Sequence, residues 1–277
     1  MKVFDTIGFL GGAAAENVDT ALGPWYWSIH PELFTSKKIM LHWQDMISYH
    51  TQERGIAIRP ELEKACLHLQ QQVEKYSNIS KPLLVLGGDH SMAMGTWPGI
   101  VKAYPHLGLL WVDAHLDAHT PQDSVSKNFH GMPLARLLGI WGGAPVLQPE
   151  QVCVFGVRSY ESIEYQHLRN KGVKIIMMEE ILSEGLSQKL EEALNYLKTH
   201  HSHLGLSIDL DAFDPEDCPG VGYREPHGIR TQEFFEFFKN FAYHDWVAIE
   251  VAEFNPIRDI KQKTAQWLPE FLHYLYG

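Results

Sequence analysis

The sequence predicts an α/β fold in which helices cover both faces of a mostly parallel sheet of eight strands. Short apolar runs alternate with longer segments whose apolar residues recur every three to four positions, the pattern of strands joined by helices. Two of these runs, residues 83–86 and 109–112, are apolar at every position, as expected of strands buried on both faces of a parallel sheet. Right-handed crossovers through the intervening helices keep such strands parallel.

The predicted strands are bounded by turn-forming or charged residues. In chain order they are residues 3–10, 38–43, 83–86, 109–112, 152–157, 173–178, 204–209 and 246–251. Paired glycines favour turns, and the pairs Gly11-Gly12 and Gly87-Gly88 end the first and third strands. The fourth strand ends where charged residues begin, at Asp113.

Seven helices are predicted from apolar spacing. They cover residues 58–76, 91–104, 133–140, 163–170, 181–199, 231–241 and 262–276. The first of them is the clearest, because Leu62, Leu69 and Val73 fall on one face and Pro60 suits the first turn. A long polar loop, residues 120–131, follows the fourth strand, and loops in that position often carry function.

Composition limits the classes of partner. The chain has 277 residues, 45% hydrophobic and 21% charged, and we expect a single domain spanning residues 1–277. A formal net charge of -11 argues against binding to nucleic acid or to an anionic membrane, but it is compatible with a small cationic substrate. The sequence contains neither the phosphate-binding motif G-x-x-x-x-G-K-[ST] nor the dinucleotide-binding motif G-x-G-x-x-G, so nothing in it supports a nucleotide-binding function.

The cysteines and the N-terminal segment bear on localisation. Three widely spaced cysteines without a C-x-x-C pair predict neither a disulfide framework nor a thiolate zinc site, and they fit a reducing compartment. The N-terminus is not typical of a secretory signal, because Asp5 interrupts its apolar run and only Lys2 supplies positive charge. No run approaches the roughly 20 apolar residues of a membrane span. We therefore expect a cytoplasmic protein.

The strongest chemical pattern lies directly after the fourth strand. Residues i, i+2 and i+4 of an extended chain point to the same side, so Asp113, His115 and Asp117 are predicted to converge beyond the strand end. Open α/β sheets bind their ligands at this end of the strands. For one such pattern alone, a helix-capping aspartate with surface histidines would be the preferred interpretation.

Two further strand ends weaken that interpretation. Asp209 and Asp211 follow the seventh strand, and His90 follows the third strand and its glycine pair, where the backbone can approach a neighbour closely. Acidic and imidazole groups therefore gather at three strand ends. A separate group precedes the seventh strand, at the opposite edge of the sheet, and is assigned to a solvated face: His200, His201 and His203.

The donor set indicates two metal ions. Carboxylates with a minority of imidazoles suit a cation such as Mn²⁺ better than structural zinc, which prefers thiolate and imidazole. Six donors are too many for one catalytic ion with an open position, and four carboxylates balance two dications. Two ions about 3.5–4 Å apart can activate a shared water near neutral pH. The predicted ligands are His90, Asp113, His115, Asp117, Asp209 and Asp211.

Five motifs in order together resemble the ureohydrolases, the arginase and agmatinase superfamily. They are GGDHS at 87–91, DAHLDAHTP at 113–121, NFHGMPL at 128–134, SIDLDAFDP at 207–215 and EFNP at 253–256. The stretch 113–134 is most similar to the arginase branch. The resemblance implies a three-layer α/β/α fold, a binuclear Mn²⁺ centre, hydrolysis of a guanidinium group to urea and an amine, and homo-oligomers that are trimers or hexamers.

The resemblance also implies catalytic roles for Asp117, His130 and Glu253, and elementary chemistry supports them. A guanidinium carbon is a poor electrophile, so a positioned, metal-activated hydroxide must attack it. Glu253 could pair with the planar cation, and Asp117 could take the proton of the nucleophile. His130 is suited to proton transfer at the leaving nitrogen near neutral pH. In isolation, Glu253 would be interpreted as a surface carboxylate at a strand end and His130 as a solvated loop imidazole.

For the amino-acid end of the substrate, the resemblance implies contacts by four residues: His119, Ser126, Asn128 and Glu161. Two of these depart from the arginase pattern, because His119 replaces an asparagine and Glu161 replaces an aspartate. The segment 215–224 is also much shorter than the family's loop after the seventh strand. The metal set and the reaction type are therefore better determined by the sequence than the substrate is.

The leading hypothesis is Mn²⁺-dependent hydrolysis of arginine to ornithine and urea. One alternative is a ureohydrolase acting on agmatine, a guanidino acid or formiminoglutamate. A second is an amide hydrolase of the histone-deacetylase kind, which usually holds one zinc ion with fewer acidic ligands. A third is a non-catalytic binder, although a degenerate copy would be expected to have lost some of the predicted site residues.

Overall fold

The computed structural model describes residues 1–77, 81–240 and 246–276, and its strands form one eight-stranded sheet. The strands are β1 Lys2–Leu10, β2 Ile39–Ser48, β3 Leu83–Gly87, β4 Leu107–Val112, β5 Val152–Val157, β6 Lys174–Met177, β7 His203–Asp209 and β8 Trp246–Ala252. Their order in the sheet is β2-β1-β3-β8-β7-β4-β5-β6, and all pairings between them are parallel. The predicted fold class is confirmed.

Ten α-helices lie in the described part of the chain. They are α1 Leu22–Ile29, α2 Glu32–Thr35, α3 Arg59–Tyr76, α4 Ala93–Ala103, α5 Pro133–Leu137, α6 Ser162–Lys171, α7 Met178–Glu184, α8 Leu186–His200, α9 Thr231–Asn240 and α10 Lys263–Tyr276. Within the described residues, no helix combines the length and the apolar character that crossing a membrane requires.

The central strands are apolar throughout because they face two cores. In β3, Leu84 and Leu86 pack on the side of α8, α9 and α10, whereas Val85 packs on the side of α3 and α4. In β4, Leu110 points into the first core and Leu109 into the second. The sheet is thus covered on both faces, and its strand ends are left as the place where polar groups can meet.

Several predicted boundaries differ from the observed ones. The single helix predicted over 181–199 is two helices, α7 and α8, because Gly185 adopts a non-helical backbone with φ of 97°. Strand β2 continues to Ser48 rather than ending at residue 43, since an edge strand tolerates polar residues and its register shifts opposite Thr6 and Ile7. The predicted end of helix 231–241 at Phe241 lies outside the described residues.

No element was predicted for residues 11–37, where the structure has helices α1 and α2. Helix α1 carries Pro24 in its first turn and buries Trp27 against α10. The indole N–H of Trp27 donates to the carbonyl oxygen of Ala265 over 3.1 Å. Trp27 also stacks on Phe254, with ring centroids 4.6 Å apart. Helix α1 therefore supports the chain directly after β8, where Glu253 lies.

Candidate active site

The carboxyl ends of four neighbouring strands, β3, β8, β7 and β4, carry the predicted metal ligands and catalytic residues. His90 follows β3, Asp113 follows β4, Asp209 is the last residue of β7 and Glu253 follows β8. The sheet order brings together residues that are far apart in sequence. His203 begins β7 and so lies at the opposite end of that strand, as predicted, although it is only partly exposed and contacts the ring of Tyr104.

The six predicted ligands converge in two adjoining groups. In the first, His90 Nδ1 lies 3.2 Å from Asp113 Oδ2, 3.1 Å from Asp117 Oδ2 and 3.3 Å from Asp209 Oδ2. In the second, His115 Nδ1 lies 3.1 Å from Asp211 Oδ2 and 3.5 Å from Asp113 Oδ1. Asp113 presents a different oxygen to each group. It therefore lies where a ligand shared by two ions would lie.

Two orphaned atoms show that these residues fit a metal ion. His90 Nδ1 and Asp117 Oδ2 are buried and 3.1 Å apart, yet neither has a hydrogen-bond partner. A buried polar group that has no hydrogen-bond partner costs about 1–3 kcal/mol. A cation between them would satisfy both atoms. The oxygen-rich donor set suits Mn²⁺ among the common divalent ions.

The protein alone gathers more negative charge here than it can easily bury. Burial, followed by the charge of Asp113, raises the pKa of Asp117 to about 7. Burial and the charges of Asp211 and Asp113 also hold the pKa of Asp209 well above its usual range. Burial acts in the same direction on Asp113, but the imidazoles of His115 and His90 hold its pKa below its usual range. Two dications would compensate the four ionised carboxylates.

A buried hydrogen-bond chain supports His90 from behind. Its Nε2 lies 3.0 Å from Ser207 Oγ, which donates to Glu250 Oε1 over 2.7 Å. Trp97 Nε1 donates to the same carboxylate oxygen over 3.0 Å. Such contacts fix the ring and leave the other nitrogen free to bind a metal. This chain of hydrogen bonds was not predicted from the sequence, where the available signal was Glu250, the one charged residue in the apolar run WVAIEVA.

The backbone is strained at two of the predicted catalytic residues. Asp117 and Glu253 both adopt left-handed conformations, with φ of 49° and 68°. Non-glycine residues in this region cost about 1–3 kcal/mol, and such residues cluster at functional sites. At Glu253 the conformation directs the backbone N–H to the carbonyl oxygen of Gly88 over 2.6 Å. Gly88 is itself required, because a Cβ there would collide with the carbonyl oxygen of Gly11.

Glu253 and His130 lie beside the metal-ligand groups. Glu253 Oε1 accepts the backbone N–H of His90 over 3.1 Å and lies 3.4 Å from His130 Nδ1. Its other oxygen, Oε2, is buried without a hydrogen-bond partner, a state that is costly for a carboxylate unless a donor or a cation pairs with it. Burial is the largest influence on His130 and opposes its protonation, but the hydrogen bond to Glu253 and the charges of Glu253, Asp117 and Asp89 together raise its pKa. The His130 ring also stacks on Tyr223, with centroids 5.5 Å apart.

A cavity of about 500 Å³ opens onto these groups. Its lining includes Asp117, Asp209 and His130. All four residues that were predicted to contact the amino-acid end of a substrate also line it: His119, Ser126, Asn128 and Glu161. Further lining residues that the sequence analysis did not identify are Ser124, Val125, Gly131, Ser159, Tyr160, Glu164 and Tyr223. Several predicted metal ligands and all four predicted substrate contacts therefore line one space.

At the far side of the cavity His119 is held by carboxylates. Its Nδ1 lies 3.0 Å from Asp123 Oδ1, and its Nε2 lies 3.2 Å from Glu161 Oε2 and 3.4 Å from Glu164 Oε2. Glu161 and Glu164 are fixed by a capping box at the start of α6, in which the backbone N–H of Glu161 donates to the Glu164 carboxylate over 3.0 Å. The E-x-x-E spacing was the signal that could have identified Glu164.

Comparison with known proteins gives one consistent family. The Arginase family model matches residues 28–276. The chain is 41% identical over 203 residues to an arginase of Bacillus caldovelox, covering 70% of this chain and 68% of that one. It is also 41% identical over 220 residues to an arginase of Bacillus subtilis strain 168, covering 76% and 73% of the two chains.

Among solved structures, the chain is similar to the crystal structure of an arginase from Bacillus cereus. The TM-score is 0.89 at 30% sequence identity, and the alignment covers 100% of this chain and 99% of that one. The similarity thus extends over the whole sheet and over the strand ends that carry the site. The sequence, the fold and the grouped donors agree, and the chain belongs to the arginase family.

Proposed function

We propose that this protein hydrolyses arginine to ornithine and urea, with two Mn²⁺ ions held by the six converging residues. The observation that carries the proposal is the arrangement of two metal-ligand groups joined at Asp113, next to a buried carboxylate oxygen of Glu253 that has no partner. The relatives described above are named arginases, which supports arginine as the substrate.

The metal ions would be divided between the two groups. His90, Asp113, Asp117 and Asp209 would hold one ion, and Asp113, His115 and Asp211 would hold the other. When bound, the two cations supply Lewis acidity that lowers the pKa of water toward about 7, which provides the nucleophile at neutral pH. The preference for Mn²⁺ rests on the four carboxylates and two imidazoles of the donor set.

The protein side chains would bind the guanidinium and move protons. Glu253 would accept N–H groups of the guanidinium at its free Oε2, a charge-assisted contact that orients the planar cation. Asp117 would take the proton released at attack at its carboxylate, whose Oδ2 has no hydrogen-bond partner and lies 3.1 Å from His90 Nδ1. His130 would donate a proton to the leaving nitrogen, and its raised pKa favours the protonated form that this role needs.

The amino-acid end of the substrate would lie against the polar side of the cavity. The carboxylates of Glu161 and Glu164 would attract the α-ammonium group, while Ser126 and Asn128 offer hydrogen-bond donors for the α-carboxylate. His119 would act mainly by holding Glu161 and Glu164 in place. This arrangement favours an amino acid with both groups over agmatine, which has no α-carboxylate.

The experiment is urea release after Mn²⁺ loading, measured with arginine and with a panel of guanidino compounds. We expect turnover of arginine with kcat/KM well above that for agmatine. Turnover of agmatine, a guanidino acid or formiminoglutamate without turnover of arginine would overturn the substrate assignment and keep the reaction class. Absence of turnover with every member of the panel in a protein that has bound two Mn²⁺ ions would overturn the enzymatic assignment itself.

A further inference from the structure

The two histidines of the metal-ligand groups are supported differently. Behind His90, the group at Nε2 is the neutral hydroxyl of Ser207. Behind His115, it is a carboxylate: Nε2 lies 3.5 Å from Glu225 Oε1, while Nδ1 faces Asp211 and Asp113. The imidazole of His115 therefore spans the distance from one metal-ligand group to Glu225.

Glu225 reaches this position because the segment after β7 is short. The chain leaves β7 at Asp209 and returns past His115 within residues 215–225. The carboxylate is only partly exposed, at 27% of its side chain. Nothing in the local sequence indicated this contact, because Glu225 follows the seventh strand by sixteen residues.

Arg158, directly after β5, fixes the backbone that carries Glu225. Its guanidinium donates to the carbonyl oxygens of Glu225 over 2.8 Å and Asp211 over 2.7 Å. It also donates to the carbonyl oxygens of Ala212 over 3.1 Å and Pro226 over 3.0 Å. One side chain thus ties the returning segment to the end of β7, next to a predicted metal ligand. The rigid fork of arginine donors suits such a connection.

We infer that Glu225 is the positioning residue of His115: it accepts the Nε2 proton and thereby holds Nδ1 toward one of the two cations. The inference rests on the proposed binuclear site. A carboxylate at this place fixes the tautomer, orients the ring and makes the imidazole a stronger donor, and removal of such a partner typically costs about 10- to 100-fold in metal affinity. Because His115 belongs to only one of the two groups, the loss is expected at one of the two ions.

The test compares Glu225→Ala and Glu225→Gln with Glu216→Gln, a matched control on the same segment whose carboxylate is 79% exposed and contacts Arg230. Mn²⁺ affinity and stoichiometry are measured by titration calorimetry, the coupling of the two ions by electron paramagnetic resonance, and folding by thermal unfolding of the metal-free proteins.

We expect Glu225→Ala to weaken Mn²⁺ binding at one site about 10- to 100-fold, with loss of the coupled Mn²⁺ signal at limiting metal. Glu225→Gln, which keeps an acceptor without the charge, should fall between Glu225→Ala and the wild type.

Unchanged affinity at both sites in both Glu225 variants would overturn the inference, as would equal weakening of both sites together with a lower unfolding temperature. Both of those results presuppose a wild type that binds two ions. A wild-type protein that binds fewer than two Mn²⁺ ions per chain would overturn the proposed binuclear site, and this inference with it.

Discussion

Replacing Ser207 by alanine tests whether the buried chain behind His90 positions that residue. Ser207, His90 and Glu250 are fully buried, and the hydroxyl links the other two side chains over 3.0 and 2.7 Å. Without it, the His90 ring N–H has no acceptor, because Glu250 Oε1 is 3.8 Å away. An unsatisfied buried donor costs about 1–3 kcal/mol, and loss of this kind of support for a metal-binding imidazole lowers affinity about 10- to 100-fold.

The assay is urea unfolding of the metal-free protein together with a Mn²⁺ titration. Ser202→Ala is the control, because Ser202 makes an equivalent contact to His203 Nδ1 at 3.0 Å, but in an exposed place. We expect Ser207→Ala to lose stability and metal affinity and Ser202→Ala to lose neither beyond about 0.5 kcal/mol. Wild-type stability together with wild-type Mn²⁺ affinity in Ser207→Ala would refute a positioning role for the buried chain behind His90.

Three other perturbations follow from the structure. Gly88→Ala should lower the free energy of unfolding by about 1–3 kcal/mol, because the added Cβ would collide with the carbonyl oxygen of Gly11. The control Gly131→Ala should not lower it, because there is open space around the added Cβ. Equal melting temperatures of the two variants would contradict this prediction. Glu253→Gln should lower kcat/KM for arginine roughly 10- to 150-fold, a loss of about 1.5–3 kcal/mol in transition-state stabilisation, without a change in melting temperature. Wild-type urea release by this variant would argue against guanidinium binding at Glu253. Hydrogen bonds from His167 and Thr120 outweigh burial and hold the pKa of Asp123 below its usual range, so its ionised form stabilises the fold. This contribution to stability is complete above the ordinary aspartate pKa of about 3.9 and is lost as the pH falls through the lowered pKa of Asp123. Asp123→Asn should therefore be less stable than the wild type at pH 7, and the difference in the free energy of unfolding should shrink in acid. A difference in urea unfolding that does not change with pH would contradict this prediction.

The sequence was sufficient where local pattern and fold geometry act together. The fully apolar run before Asp113 and the mostly apolar run before Asp209 identify buried strands and the ends at which polar groups meet. The positions of all six predicted ligands at one end of one parallel sheet follow from that reasoning. The length of β2 and the break between two helices at Gly185 were harder to predict, because the pairing of an edge strand and the backbone conformation of a glycine depend on tertiary context.

Features that depend on contacts between distant segments could not be predicted. The left-handed backbone at Asp117 and Glu253 carries no marker in side-chain type, because glycine is the usual residue there. The contact of Glu225 with His115 depends on how a short segment returns across the sheet and on the carbonyl groups that Arg158 binds. These contacts surround the metal-ligand groups and are invisible to motif comparison.

The central claim is that the strand ends hold a pair of cations, and anomalous diffraction from crystals grown with Mn²⁺ tests it most directly. At the manganese absorption edge we predict two peaks about 3.5–4 Å apart, with Asp113 between them, one peak beside His90 and the other beside His115. A single peak, or peaks away from these side chains, would contradict the account.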